Sequence, residues 1–182
     1  SRTDRQAVRR AAMTARISGF APVFRSDARI LILGSMPSAE SLRQSFYYAH
    51  PRNCFWPMLA QILAEKPPED DAQKAQLLLR HRIALWDSVR SCEREGSLDS
   101  AIRTPVPNDF EYLYAECPGI ETVLFNGAAA QQLYMRLVKV DRPNLRFVRL
   151  PSTSPAYTLK YEQKLRAWAQ AIKEAMNYAE SL

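Results

Sequence analysis

Four short apolar runs, each closed by polar or turn residues, constrain the fold of this chain more than any other feature. They are Ile30–Leu33, Ile83–Trp86, Thr122–Phe125 and Leu145–Val148. Branched and aromatic side chains dominate them, which is the signature of strands. The first two lack alternation and read as buried on both faces, as in a parallel sheet. Helical periodicity fills the intervals. Phe55–Leu63 puts Phe55, Met58, Leu59 and Ile62 on one face. Ala72–Arg80 is a second helix, and Asn108 or Asp109 can cap a third through Tyr114. Ala128–Val138 and Tyr161–Tyr178 complete the set, the last with Leu165, Trp168, Ala169, Ile172 and Met176 in one stripe. Strands alternating with helices predict an α/β fold, a parallel sheet with helices on both faces.

The 182 residues suit one domain spanning 1–182, with residues 1–24 expected as a basic, helical segment packed on it or flanking it. Ser1–Arg16 is rich in arginine and reads as a short basic helix without the apolar stretch of a signal peptide. No uncharged apolar run is long enough to span a bilayer, so no membrane partner is expected. The net charge of +6 and pI near 9.4 favour a polyanionic partner, nucleic acid first. Cys54, Cys92 and Cys117 form no CxxC pair, and His50 and His81 are the only imidazoles. A disulfide framework, a zinc ribbon and a four-thiolate cluster are therefore not expected; no metal is predicted, and a reducing cytoplasm fits best.

In an α/β fold the ligand lies at the carboxyl ends of the strands, so the loops there carry the functional information. The first runs Gly34-Ser35-Met36-Pro37-Ser38, then Tyr47-Tyr48-Ala49-His50-Pro51-Arg52-Asn53-Cys54-Phe55-Trp56. Four aromatics, a His, an Arg and an Asn crowd into about ten positions. Surface loops seldom carry so much aromatic mass unless something stacks on it. Phe55 and Trp56 also suit the start of a core helix, and Asn53 suits its N-cap.

These two segments resemble motifs of the uracil-DNA glycosylase superfamily. Gly34–Ser38 resembles its first motif, and Tyr48–Trp56 the aromatic-Ala-His-Pro-x-Asn-x-Phe-Trp run of its mismatch-specific members. The Ser-Met-Pro-Ser and double-Tyr pattern is most similar to the hypoxanthine-DNA glycosylase branch. The resemblance covers Arg29 to the C-terminal helix. It implies a three-layer α/β/α fold around a four-stranded parallel sheet. It also implies a cofactor-free enzyme of base excision repair, acting on double- or single-stranded DNA that carries a deaminated base; no lysine is placed for Schiff-base chemistry, so a monofunctional enzyme is expected, and a monomer.

By the same resemblance Tyr48 is the platform for an everted base, with Phe55, Ser35, Met36 and Asp87 completing the base site. Aromatic stacking suits that task because every base has a π-face. Met36 stands where other members carry a water-activating Asp or Asn, and a thioether cannot take a proton from water. Asn53 is implied in its place, with a positional and electrostatic role. His50 is the second catalytic candidate, and the backbone N–H groups of Ser35 to Ser38 are expected to hold developing charge. Ile83–Val89 resembles the strand that ends in a base-reading Asn, here Asp87, whose carboxylate can accept a base N–H. An ionised Asp87 would repel the neighbouring base carbonyl, so a softening donor or water is needed. Leu150–Ala156 resembles the second motif, with Leu150 where a charge-stabilising His or Asn usually stands. Ser152, Thr153 and Ser154 are expected at the DNA backbone, together with Arg52 and with Asn126 at a helix N-terminus. Ser91–Ser100 reads as a polar loop whose acids pair at the surface with Arg90 and Arg94.

Three other readings stay open at this level. One is a uracil or mixed-specificity glycosylase of the same fold. Another is a DNA-binding relative that has lost catalysis, suggested by Met36 and Leu150. The third is a flavodoxin-like small-molecule enzyme, whose phosphate loop Met36-Pro37 fits poorly.

Overall fold

The computed structural model describes residues 2–6 and 15–181. Its first half runs β1 (Arg16–Ser18), β2 (Ile30–Gly34), α1 (Ala39–Gln44), α2 (Phe55–Ile62), α3 (Asp71–Arg80), β3 (Ile83–Asp87) and β4 (Val89–Glu93). After a 3-10 turn at Asp99–Ala101 come β5 (Arg103–Pro107), α4 (Phe110–Glu116), β6 (Thr122–Asn126), α5 (Ala128–Leu137), β7 (Arg146–Leu150) and α6 (Tyr161–Ser181).

β2, β3 and β6 are buried at every position, as their unbroken apolar runs require. They pair in parallel with β7 in the order β3-β2-β6-β7. Helices flank this sheet, giving the expected three-layer α/β/α architecture. The chain leaves β2 toward β3 on one side, then crosses to β6 on the other. That reversal puts a topological switch point between β2 and β6, where such sheets bind ligands. β3 is an edge strand of the sheet, and Val23 covers it through two 2.9 Å hydrogen bonds with Leu85.

Asp109 caps α4 by accepting from Tyr112 N–H, and Asp70 caps α3 through Gln73 N–H. Trp168 of α6 is fully buried and meets Phe55 edge-on at 6.1 Å between centroids. Its indole donates to the Pro151 carbonyl at 2.9 Å, so one helix braces the loops after both β2 and β7.

Two expectations need correction. A second, antiparallel sheet of order β1-β4-β5 exists. Ser91–Ser100 is therefore not simply a polar loop: its first residues, Ser91 to Glu93, are strand. Arg94 is buried rather than paired at the surface, donating to the carbonyls of Pro37 and Gly96. Glu93 reaches Arg16, at 4.0 Å. The strands escaped detection because they are short and polar, and β5 carries two prolines, tolerated there because it is an edge. The N-terminal expectation holds only in part. Residues 2–6 are helical and 7–14 lie outside the described residues. Arg16 belongs to a strand, pairing opposite Glu93, so the segment 1–24 is not helical throughout.

Candidate active site

Parallel registration sets the floor of the site. Gly34 at the end of β2 pairs with Asp87 at the end of β3, and Asn126 at the end of β6 pairs with Leu150 of β7. The loop after β2 rises over these ends. Ser38 lines the cavity and caps α1, its hydroxyl accepting from Ser41 N–H at 3.1 Å. The chain then reverses at Ser45 and Tyr48, both in the left-handed region, with φ of 58° and 53°. A bulky residue there stores strain that local structure must hold, a feature that clusters at functional sites.

Neighbouring aromatics supply that hold. Tyr47 is buried and donates to the Ala21 carbonyl, while Trp56 donates to the Tyr47 carbonyl at 2.8 Å. Phe55 is fully buried behind Tyr48, with centroids 4.2 Å apart. The expected place of Phe55 in the base site is thus corrected: it backs the platform and does not line the cavity. Met36, by contrast, does line the cavity, as a nearly buried side chain. It packs in a satellite core with Val89, Cys92 and Ile102 and is only 6% exposed.

A cavity of about 550 Å³ opens over the strand ends, within the usual range for small-molecule sites. Tyr48, His50, Arg52, Asn53, Asp87 and Ser152 all contribute to its walls. The Asn53 carbonyl oxygen accepts from Phe55 N–H at 3.0 Å. That bond fixes which end of the amide is oxygen and leaves Nδ2 without a protein partner among the described residues. The N-cap of α2 is Cys54 and not Asn53 as expected; Asn53 closes the turn just before the helix and presents an amide to the cavity at once. His50 accepts from Arg52 N–H through Nδ1 at 3.1 Å, which puts the proton of the neutral ring on Nε2.

Asp87 is 3% exposed and its Oδ2 has no hydrogen-bond partner. Burial, then the nearby Asp99 carboxylate, push its pKa up to about 7, and Arg94 only partly opposes them. The Tyr48 hydroxyl is also buried, beside the Asn126 amide and the Asp87 carboxyl. A buried carboxyl oxygen left without a partner on a cavity wall calls for an explanation, and a ligand's hydrogen bond supplies one. A Cβ on Gly34 would sit 2.4 Å from Asp87 Oδ1 and 2.8 Å from the Tyr48 hydroxyl, so only glycine fits between them.

The far wall is the loop after β7. Asn126 and Thr153 lock it: Asn126 Nδ2 donates to Thr153 Oγ1 at 3.0 Å, and Thr153 N–H donates back to Asn126 Oδ1 at 2.9 Å. Both residues are buried, Thr153 at 1% and Asn126 at 8%. The pair forms a structural clamp in the cavity wall. Replacing Thr153 with valine should strip the buried Asn126 Nδ2 of this acceptor, while Oδ1 keeps the backbone N–H of residue 153, costing about 1–3 kcal/mol. Urea unfolding measures this, and an unchanged midpoint would mean the clamp is dispensable. Ser152 and Ser154 remain at the rim, and the Cys54 N–H ties the two loops by donating to the Thr153 carbonyl at 3.2 Å.

Asp99 and Ser97 also reach the cavity. Nothing in the sequence pointed to them, because the second sheet that delivers them was not legible. The Ser35 hydroxyl donates to Asp99 at 2.5 Å, and the Ala39 N–H donates to Ser97 Oγ at 2.9 Å. Among the described residues, no three His, Cys, Asp or Glu side chains gather as a metal site. Nor is any described helix long and apolar enough to cross a membrane.

Residues 21–177 match the profile of the uracil DNA glycosylase superfamily. A hypoxanthine DNA glycosylase of Methanosarcina barkeri is 34% identical over 156 residues, covering 85% of this chain and 97% of that protein. Its namesake in Methanosarcina acetivorans is 40% identical over 113 residues, covering 62% of this chain and 72% of that protein. The solution NMR structure of a candidate uracil DNA glycosylase from Methanosarcina acetivorans superposes with a TM-score of 0.76 at 31% identity. It covers 88% of this chain and 99% of that one. With a parallel sheet, a switch-point cavity and a match this long, the chain belongs to the uracil DNA glycosylase superfamily.

Proposed function

We infer that this protein is a DNA glycosylase that hydrolyses the N-glycosyl bond of a deaminated base, hypoxanthine first, as a step of base excision repair. One observation carries the reading beyond kinship: Tyr48 and Asn53 from the loop after β2 and Asp87 from the end of β3 converge on a single cavity at the switch point. The hypoxanthine DNA glycosylases of Methanosarcina support the choice of base.

A base inside the duplex is out of reach, so the target nucleotide must first turn out of the stack. Arg52, Ser152 and Ser154 at the rim meet the flanking phosphates, which fix register without reading sequence. Tyr48 offers its ring to the everted base. Asp87, whose Oδ2 has no partner, takes the polar edge beside the Tyr48 hydroxyl. Cleavage separates charge into a cationic sugar and an anionic base. The Asn53 Nδ2 donates to the departing base or to the attacking water, and His50 Nε2 is the second donor available. Lysine is missing from the cavity lining among the described residues, and Lys164 donates to the Ser154 carbonyl from behind the loop. That supports direct hydrolysis over Schiff-base chemistry, hence an abasic product with an intact strand. In this reading the chain works as one domain and as a cytoplasmic monomer, with DNA its partner and no metal in the chemistry.

The test is base release from oligonucleotides carrying hypoxanthine, uracil, xanthine or thymine, as duplex and as single strand. Free hypoxanthine should appear fastest, and strand breaks only after alkali. Faster release of uracil than of hypoxanthine would overturn the base assignment; no release from any substrate would overturn the activity.

A further inference from the structure

The base edge that Asp87 meets on the proposed reading poses a charge problem. Hypoxanthine offers a lactam there, an N–H donor beside a C=O acceptor. An ionised carboxylate accepts the N–H but repels the carbonyl. Among the described residues no cation pairs directly with Asp87 to relieve this, and Arg94 offsets it only in part. Arg94 is the nearest, yet it donates Nη2 to the Pro37 carbonyl and Nε to the Gly96 carbonyl, and its Nη1 is buried without a partner. No hydrogen bond or salt bridge joins it to Asp87 among the described residues. From the loop after β2, Tyr47 and Tyr48 face the carboxyl as neutral phenols held neutral by burial. From the 3-10 turn between β4 and β5 comes Asp99, a second carboxylate, fixed by the Ser35 hydroxyl at 2.5 Å. Ser35 directly follows Gly34, the registered partner of Asp87.

We propose that Asp99, held by Ser35, is a positioning residue that keeps the Asp87 carboxyl in its neutral, donating form, so that both oxygens of a carboxylic acid grip the lactam edge of the base. One Asp87 oxygen then donates to the base carbonyl and the other accepts from the base N–H. No bond is made or broken and no proton is transferred. The inference rests on the glycosylase reading and concerns one residue's ionisation within it. Burial and the Asp99 charge both act in the required direction, leaving Asp87 with a pKa of about 7 where an exposed aspartate would be ionised.

The sign follows directly. Below about pH 7 Asp87 is neutral and binds the lactam; above it the carboxylate forms and the grip weakens. Replacing Asp99 with asparagine removes a like charge, eases ionisation of Asp87 and moves the loss to lower pH.

Single-turnover release of hypoxanthine from an inosine-containing duplex, followed from pH 5 to 9, tests this with the full chain. Wild type should lose activity on an alkaline limb centred near pH 7. In D99N that limb should move down by about half a unit or more, with the rate at pH 5 kept within roughly twofold. S35A, which frees Asp99 from its hydroxyl, should move it the same way by less. D87N places an amide, donor beside acceptor, where the neutral acid stood. It cannot titrate, so whatever its absolute rate its profile should lack the limb near pH 7. The Asp87 carboxyl carbon, titrated by NMR in wild type and D99N, supplies a readout independent of turnover. Superimposable D99N and wild-type profiles, or a limb that persists in D87N, overturns the proposal. If wild type releases no hypoxanthine at any pH, the glycosylase reading itself has failed.

Discussion

Alanine at Asn53 is expected to lower single-turnover base release by about 100- to 1,000-fold, the range lost when one donor aimed at developing charge is removed. Affinity for the damaged duplex should stay within roughly threefold, because phosphate contacts dominate nucleic-acid affinity and Asn53 makes none in the proposed complex. The structure shows why the variant still folds. Asn53 gives one hydrogen bond to the fold, from Phe55 N–H to Oδ1 at 3.0 Å, and the helix it precedes is anchored by Phe55, Met58 and Leu59, all fully buried. Its loss should cost about 1 kcal/mol. Asn53→Asp separates the two duties of the side chain. An aspartate still accepts from Phe55 N–H but has no Nδ2 to donate, so stability should return to wild type while release stays impaired. Wild-type release by N53A would remove Asn53 from the chemistry and leave His50, whose Nε2–H faces the same cavity.

How far the sequence reaches is clearest at the loop after β2. The parallel strands and their helices were legible because burial on both faces demands unbroken apolar runs, and each run became a strand within one or two residues of its expected bounds. Tyr48, Asn53 and Asp87 were legible as members of one site, since they follow strands whose carboxyl ends must coincide. What each atom does was not. Phe55 and Tyr48 are both aromatic and seven positions apart, yet one is fully buried and the other walls the cavity. Thr153 and Ser152 are adjacent hydroxyls, and only pairing with Asn126 turns Thr153 inward. Asp99 was out of reach altogether. Its position depends on an antiparallel sheet of short polar strands, whose formation rests on cross-chain pairing such as Ile17 opposite Cys92, not on local pattern.

The second large effect is expected from the smallest change, Gly34→Ala. Gly34 does not sit in the left-handed region, so alanine meets no backbone strain there. The added methyl would instead lie 2.4 Å from Asp87 Oδ1 and 2.8 Å from the Tyr48 hydroxyl, well inside contact distance for both. Neither neighbour can yield cheaply. Asp87 is a short side chain at 3% exposure, and Tyr48 is backed by the Phe55 ring at 4.2 Å. Overpacking of this kind costs about 1–3 kcal/mol of stability. Both groups proposed to hold the base must also shift, and a misplacement of about 1 Å can cost on the order of 100-fold in rate. Circular dichroism should show the fold intact, while single-turnover release falls by about that factor. The cause can be isolated by combining the change with Asp87→Ala. Removing the carboxyl makes room for the methyl, so Gly34→Ala should cost much less in that background than alone, because residues in contact do not act additively. Fully additive losses would mean that the methyl acts elsewhere, and the tight triangle of Gly34, Tyr48 and Asp87 would lose its claim to be the floor of the base site.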